Sequence, residues 1–293
     1  LPSGGQVVTN NGTITAGGKV MDITGSGNVA IDWNSFNIAA DEIVNFKNMQ
    51  AVLNYVSGGS KSEIFGKLNG AGVNVFLVNP NGILFGKTAQ VNVGQLTAST
   101  RSLEKAALNS FNGSLSPLDA GGAANVKADI INLGKLKAGK LVLEGNNLSI
   151  IGSDSLEVAD KSKITLRAGE NINIGYEVTD KTTIDVGDGK GNTHQVSDYG
   201  KGGGDKASDV LSTASVTDLK GSAKSINDAM LVHDVYELQA IDRNTGTING
   251  SSYVVGNYML AGDIDAGDTK NWNSGRGFDP IGRLNRTGNG VTG

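Results

Sequence analysis

The sequence is poor in several residue types, and each shortage removes a class of function. It has no cysteine among its 293 residues, so disulfides, cysteine-metal sites and thiol chemistry are excluded. No run of 18 apolar residues occurs, so no segment is predicted to cross a bilayer as a helix. The formal net charge is −4 and no basic cluster stands out, so we expect no nucleic-acid partner.

Aromatic residues make up only 5% of the chain and prolines number four, whereas glycines number 43. The glycines follow no Gly-X-Y period, which excludes a collagen-like chain. Valine, isoleucine and leucine alternate with polar residues throughout, so disorder is not expected. The composition predicts an all-β protein with many short strands and many turns.

Internal repeats point to a particular all-β architecture. Leu141–Ile150 resembles Ile164–Ile174, which follows it closely in the chain, and Gly12–Gly17 resembles Gly134–Gly139. The offset of the first pair is typical of solenoids, in which each repeat of roughly 20–45 residues buries its apolar face against the next. A β-sandwich competes, but it does not need repeats at this spacing. We therefore predict a right-handed parallel β-helix with extra-helical hairpins or loops and room for one short helix.

Two stretches depart from the repeat pattern. Residues 101–111 carry leucine and alanine at helical spacing, and Ser102 could cap a short helix there. Residues 176–228 are polar and glycine-rich and are interpreted as an extra-helical insertion of loops or a hairpin. Residues 229–293 then begin a new apolar unit and are predicted to form further coils.

The sequence contains no catalytic or metal-binding motif with the residue spacing that such a motif requires. The two histidines, His194 and His233, lie far apart in sequence, and no Gly-x-Ser-x-Gly nucleophile elbow is present. Gly82–Thr88 ends like a phosphate-binding loop but has three residues between its glycines where four are needed. We therefore predict no enzyme activity, no catalytic residue, no metal and no cofactor.

Carboxylates in predicted loops keep two other function classes open. Converging acids could serve a β-helix polysaccharide lyase or hydrolase, which is the second hypothesis. The same oxygens could bind calcium in a stand-alone structural protein, which is the third hypothesis, although the spacing is not that of an EF-hand. The acids concerned are Asp188, Asp205, Asp263, Asp265 and Asp268.

A tight corner between two buried strands is predicted in the middle of the first hundred residues. The strand Val73–Val78 runs into Asn79-Pro80-Asn81-Gly82, and the strand Ile83–Phe85 follows. Pro80 suits the second position of a β-turn, and Asn81 and Gly82 both tolerate a positive φ.

Together with its surroundings, this corner resembles the secretion domain of two-partner-secretion exoproteins, the filamentous haemagglutinin family. Ile31–Ile38 is similar to the first signature of the family, in the form found in its high-molecular-weight adhesins. Ala51–Gly59 matches the linking stretch, Asn79–Ile83 is similar to the second signature, and Ala98–Thr100 closes the similarity. The resemblance covers about residues 5–105 closely.

A second resemblance lies near the end of the sequence. Met230–Ile241 and Gly277–Gly282 look like parts of a repeat unit found in many passengers of such adhesins. We therefore expect a fragment of a longer protein whose first residues follow a processed leader. The expected organisation is a secretion domain at 1–175, the insertion at 176–228, and the start of the adhesin passenger at 229–293.

The resemblance implies an export function and the partners that go with it. The chain would reach the periplasm after signal-peptide removal and be recognised there by POTRA-like modules of a cognate outer-membrane β-barrel transporter. It would be secreted to the surface of a Gram-negative-type bacterium and template β-helix folding there. Its missing carboxyl-terminal part would bind a host-cell surface or extracellular-matrix ligand.

The resemblance also implies which residues serve secretion. These are Asn79, Pro80, Asn81, Gly82 and Ile83 of the second signature, with Trp33, Phe36 and Asn37 of the first. Two roles remain open at this stage: contact with the transporter, or support of the fold.

Overall fold

The computed structural model describes residues 1–185, 191–241, 245–248, 251–254, 256–279 and 281. The described chain is mostly β and divides into two compact units. Unit 1 comprises Leu1–Ile174 and Ala207–Asn227, and unit 2 comprises Gly175–Lys206 and Asp228–Gly293.

Most strands are short, as the many turn residues predict, and the long ones are Lys67–Val78, Gln90–Ser99 and Lys135–Gly145. The first ten are β1 Gln6–Val7, β2 Gly12–Gly17, β3 Val20–Gly25, β4 Asn28–Trp33, β5 Ile43–Lys47, β6 Ala51–Val56, β7 Ser62–Ile64, β8 Lys67–Val78, β9 Ile83–Phe85 and β10 Gln90–Ser99. The next six are β11 Ile130–Asn132, β12 Lys135–Gly145, β13 Leu148–Ile150, β14 Leu156–Glu157, β15 Ile164–Ala168 and β16 Ile172–Tyr176. The others are β17 Lys181–Asp185, β18 Thr193–Ser197, β19 Ser215–Thr217, β20 Asn227–Val232, β21 Thr245–Ile248, β22 Ser251–Val254 and β23 Tyr258–Leu260.

The helices are short and lie outside the strand repeats. They are α1 Lys105–Asn109, α2 Ala120–Ala124, α3 Ala207–Val210, α4 Val235–Ala240 and α5 Trp272–Gly275. Short 3-10 turns occupy Ser153–Ser155, Lys161–Lys163 and Gly267–Asn271. Helix α1 lies within the predicted stretch 101–111, but Ser102 is not its cap, because Glu104 occupies that position.

The first sheet of unit 1 contains β4, β6, β8, β10, β12, β15 and β19 as successive parallel neighbours. Its inward side chains line up in a row across the strands, and they are at most 1% exposed. That row is Val29, Val52, Val75, Leu96, Leu141 and Ile164. Parallel register with apolar side chains on one face gives a continuous core.

The second sheet of unit 1 contains β7, β9, β11, β13 and β16, again as parallel neighbours. Leu148 pairs with Ile172 in this sheet, while Leu141 pairs with Ile164 in the first. The repeat read between Leu141–Ile150 and Ile164–Ile174 is therefore confirmed, because its equivalent members are direct neighbours in both sheets.

The other predicted repeat does not describe equivalent positions. Gly12–Gly17 is β2, which pairs antiparallel with β3, whereas Gly134–Gly139 enters β12 of the parallel sheet. The hairpin turn between β2 and β3 consists of Gly18 and Lys19, and Gly18 has a φ of +58°. A positive φ at this glycine lets the chain reverse in a tight turn, which alternation alone did not reveal.

The first sheet is covered on its outward side as well. A second apolar cluster forms there between β4, β6 and β8 and the segment that carries α1. Its members are Ala30, Ala51, Leu53, Val78, Leu108 and Phe111. Strand β6 therefore buries both faces, which explains its nearly continuous apolar sequence.

Unit 2 has its own small core. Buried side chains from the β17–β18 hairpin, β20 and α4 meet there, and Trp272 joins them. The range 176–228, expected as one insertion, is divided between this hairpin in unit 2 and residues 207–227 in unit 1. Among the residues that the structure describes, no helix is long and apolar enough to cross a membrane.

Candidate functional site

The Asn-Pro-Asn-Gly corner is a tight β-turn between β8 and β9. The carbonyl of Asn79 accepts a hydrogen bond from the amide of Gly82 at 3.1 Å, with Pro80 at the second position. Of the two residues that tolerate a positive φ, Gly82 adopts one, at +110°. The φ of Asn81 is not positive, and the third position of this turn does not require it.

The side chain of Asn79 is fully buried and uses all of its hydrogen-bonding groups. Its Nδ2 donates to the carbonyl of Ser60 and to Oγ of Ser62, both at 3.0 Å. Its Oδ1 accepts from the backbone amide of Asn81 at 2.9 Å and from Nδ2 of Asn81 at 3.2 Å. Since a buried amide is costly unless it is satisfied, Asn79 supports the fold at this corner.

The other residues of the second signature differ in exposure. Asn81 is exposed, and its Nδ2 donates to the carbonyl of Gly58 at 2.7 Å. Ile83 is buried and begins β9, where it lies between Ser62 and Ile130. A side chain at Gly82 would place its Cβ 3.3 Å from the carbonyl of Asp129, so the position also has little space.

The first signature packs into the core a short distance away. Trp33 is 1% exposed, and its indole Nε1 donates to Oδ1 of Asn54 at 3.1 Å. Phe36 is fully buried and meets Trp33 edge to face, with ring centroids 5.6 Å apart. Asn37 is half-buried, and its Oδ1 accepts from the backbone amide of Glu63 at 2.8 Å.

Both signatures converge on one connector, residues 57–63, which joins β6 to β7 and ends within β7. The first signature holds it through Asn37, and through the carbonyl of Trp33, which accepts from the amide of Ser57 at 3.0 Å. The second holds it through Asn79 and Asn81. The sequence indicated this connector only as part of the stretch Ala51–Gly59 that links the two signatures, and no function was predicted for it.

A glycine is required where the connector crosses the first signature. A Cβ added to Gly58 would lie 1.8 Å from the carbonyl oxygen of Asn34, which no rearrangement of a flexible side chain could relieve. Outside this crossing, Ser60, Lys61 and Asn81 are exposed. Lys61 also forms an ion pair with Glu63 at 2.9 Å. The site therefore consists of buried, hydrogen-bonded residues beneath a small exposed polar surface.

Two sites of buried charge were missed by sequence reasoning. One is the Arg101–Glu144 pair in unit 1. The other is Glu237 in unit 2, whose carboxylate accepts from the hydroxyl of Ser197 at 2.7 Å and lies 2.9 Å from Nδ1 of His233. Burial opposes ionisation of Glu237, but these partners outweigh it and lower its pKa to about 2. Partners that lie so far apart in the chain, as Ser197 and Glu237 do, leave no local signal.

His233 lies between two carboxylates. Its Nε2 is 3.1 Å from Oε1 of Glu177, opposite the contact with Glu237. Burial lowers the pKa of His233, but the two carboxylates raise it above its usual value. Across the described residues, no three His, Asp or Glu side chains are grouped so as to hold a metal ion. Asp188, an acid considered for calcium, lies outside the described residues.

Comparison with known proteins agrees with the signatures. The sequence model of the TPS secretion domain, the secretion domain of two-partner-secretion exoproteins, matches residues 1–263. This match covers most of the chain and thus defines a secretion domain of an exoprotein. The chain belongs to the TPS secretion-domain family.

Individual relatives come from Haemophilus influenzae. A heme/hemopexin-binding protein of strain Rd is 33% identical over 177 residues, which are 58% of this chain and 19% of the relative. A second heme/hemopexin-binding protein is 41% identical over 99 residues, 33% of this chain and 11% of the relative. The chain thus spans less than a fifth of the curated relatives' length. The crystal structure of the HMW1 secretion domain is 26% identical, with a TM-score of 0.43, and the match covers 59% of this chain and 55% of that one.

Proposed function

We propose that this chain directs the export of an exoprotein by presenting the connector 57–63 and the adjoining corner to an outer-membrane β-barrel transporter. One observation carries the proposal: both family signatures form hydrogen bonds to the same connector. We propose periplasmic POTRA-like modules of the transporter as the part that binds.

The residues of the site divide into two roles under this proposal. Trp33, Phe36, Asn79 and Ile83 are buried and set the position of the connector, and Pro80 and Gly82 shape the turn. Asn81 is exposed, as are Ser60 and Lys61 of the connector, and these form the surface that the transporter reads. Asn37 fixes the end of the connector through Glu63.

We further propose that unit 1 is a parallel β-helix, right-handed as such crossovers usually are. The chain alternates between its two parallel sheets from β6 through β13, and successive visits to one sheet are parallel neighbours. Each turn of such a solenoid is stabilised by the preceding one. Progressive folding outside the cell, where no ATP is present, would then oppose backsliding and template the turns that follow.

The remaining assignments follow from this proposal. The protein is secreted through the periplasm to the cell surface after removal of a signal peptide. Residues 1–175 carry the secretion function and 229–293 the first part of the passenger. Of the range 176–228, residues 207–227 belong to unit 1, so only the part before residue 207 is proposed as the insertion. In the whole exoprotein, the passenger would bind the ligand. That ligand would be a host surface, the matrix, or heme or hemopexin as in the named relatives. The two heme/hemopexin-binding relatives are named for binding, so we assign no reaction to this chain.

The test is secretion of this chain from cells with and without the cognate barrel. We compare the wild type with Asn81→Ala, Asn79→Asp and the matched control Asn92→Ala, an exposed asparagine on β10. Asn81→Ala should lose at least tenfold in barrel-dependent export while the purified protein still folds, and Asn92→Ala should export normally.

Other outcomes would contradict the proposal in distinct ways. Export that is indifferent to the barrel would contradict the two-partner function itself. Equal export of Asn81→Ala and the wild type would leave the family function intact but exclude the connector surface as the recognised part.

A further inference from the structure

The segment 101–128, here called the strap, lies across the outward face of the first sheet. Leu108 and Phe111 of the strap pack on Leu53 and Val78, and the ring of Phe111 meets that of Phe76 edge to face at 5.3 Å. Leu108 is 2% exposed and Phe111 is 8% exposed. The apolar outward face of β4, β6 and β8 is therefore covered by a segment that follows all three strands in sequence.

The strap is fastened by an ion pair in the interior. Arg101 at its first residue is 7% exposed, and Glu144 on β12 is 1% exposed. Nε and Nη2 of Arg101 each donate to the carboxylate of Glu144 at 2.8 Å, which is a forked contact. Glu144 also accepts from the hydroxyl of Ser99 at 2.7 Å, and Nη1 of Arg101 donates to the carbonyl of Ser116 within the strap at 2.6 Å.

The two residues of this ion pair lie far apart in the chain and become available for pairing at different times. Glu144 lies 43 residues after Arg101 and reaches it only because β12 pairs with β10, where Ser99 and Glu144 are opposite each other. Arg101 in its closed position without Glu144 would be a buried cation without its carboxylate, which costs several kcal/mol. Strap closure therefore requires β12.

We propose that the strap is a latch that closes over β4, β6 and β8 only after β12 has joined the sheet. During export from the amino-terminal end, the apolar face of these strands would then stay open until residue 144 has emerged and paired. The strap would therefore close over this face once the first half of unit 1 has folded. This inference concerns the order of folding and stands independently of which surface the transporter reads.

Pulse-labelling hydrogen exchange during refolding of the whole chain tests this order directly in the wild type. Amides of β4, β6 and β8 should become protected first, and amides of the strap should become protected together with those of β12 or after them. Strap amides that gain protection before β12 would overturn the proposal without any variant being needed.

Native-state exchange of variants tests the latch itself. In Glu144→Gln, exchange of strap amides should be about 100-fold faster, while that of β6 and β8 amides changes less than threefold. Asp154→Asn is the matched control, since Asp154 forms an exposed ion pair with Lys135 at 3.1 Å; it should leave strap exchange unchanged. If Glu144→Gln does not fold, Arg101→Gln offers the same comparison from the other partner. Strap exchange within threefold of the wild type in the folded variant would contradict the latch.

Discussion

The two asparagines of the corner are chemically identical and occupy opposite environments. Asn79 is fully buried with four hydrogen bonds, whereas Asn81 is exposed and holds the connector through Gly58. Position in the motif therefore does not indicate role. Burial does, because a buried amide that loses a partner leaves other polar groups unsatisfied.

For Asn79→Asp, we expect a loss of about 2–3 kcal/mol in the free energy of unfolding, because a carboxylate cannot donate to Ser60 and Ser62. For Asn81→Ala, we expect a loss of about 0.5–1.5 kcal/mol, because the substitution removes one exposed, hydrogen-bonded side chain. Urea unfolding followed by circular dichroism measures both. Equal losses in the two variants would show that burial does not separate their roles.

For Gly82→Ala, we expect a loss of about 1–3 kcal/mol, because φ at this position is +110° and the added Cβ meets the carbonyl of Asp129. Gly59→Ala is the matched control in the neighbouring connector, where an added Cβ has open space. Chemical unfolding compares the two directly. A control as costly as Gly82→Ala would mean that the loss comes from glycine content and not from the turn.

Glu237 and His233 predict a pH dependence in unit 2. Because its pKa falls from 4.5 to about 2, Glu237 contributes stability above pH 4.5 that is lost as pH falls toward 2. Because its pKa is raised from 6.5, His233 contributes stability below pH 6.5 that is lost as pH rises through the folded value. The charged groups facing this pair are Glu177, Lys181 and the helix-capping Asp234.

Both contributions are therefore present together between pH 4.5 and 6.5. We expect the melting temperature of the wild type to exceed that of Glu237→Gln most in this window, and the difference to shrink toward pH 2 and as the pH rises through the folded pKa of His233. Differential scanning calorimetry from pH 2.5 to 8.5 measures it. A difference that stays constant across this range would contradict the ion-pair account.

At the scale of secondary-structure elements, the strands and the spacing of their repeats could be predicted from the sequence. The segment that covers the outward face of the first sheet could not. Alternation marks a strand with one buried face, and Leu141–Ile150 and Ile164–Ile174 are neighbours as their similarity predicted. Strand β6, Ala-Val-Leu-Asn-Tyr-Val, lacks clean alternation because the strap covers its outer face. The strap's partner could not be predicted, since nothing local links Arg101 to Glu144.

The candidate site shows the same division. Its signatures could be found in the sequence, because they are contiguous stretches that resemble those of a known family. Their meeting point could not, because Asn37, Asn79 and Asn81 reach the connector through contacts that span 17 to 26 residues. Such contacts depend on the register of the sheets.

A ladder of side chains reinforces the corners before β11, β13 and β16. Asn147 donates to Asp129 at 3.0 Å, and Asn171 donates to Asn147 at 3.2 Å. We expect Asn147→Ala to lose about 1–2 kcal/mol of unfolding free energy, since it removes both side-chain links. Asn92→Ala, on an exposed strand position, should stay within about 0.5 kcal/mol. Denaturant unfolding of the two variants distinguishes the ladder from general surface effects.

At the scale of the whole molecule, stability comes from apolar rows and backbone pairing. The buried rows of unit 1 run across neighbouring strands, and unit 2 has a separate aromatic and aliphatic core. We therefore expect EDTA to leave the melting temperature unchanged within about 1 °C, and added calcium to have no larger effect. A large downward shift with EDTA would favour the calcium-stabilised structural protein.

The chain between β10 and β11 shows where this fold can accommodate additional residues. Leu96 and Leu141 are direct neighbours in the first sheet, as Leu141 and Ile164 are, yet a much longer stretch of chain separates the first pair than the second. The additional residues leave and rejoin the sheets at adjacent points, where the hydroxyl of Thr100 donates to the carbonyl of Ala128 at 2.8 Å. The junction between β10 and β11 is thus an insertion point: a peptide grafted near the exposed Ser114 would enlarge the protein without shifting either sheet, and length differences among relatives should collect there.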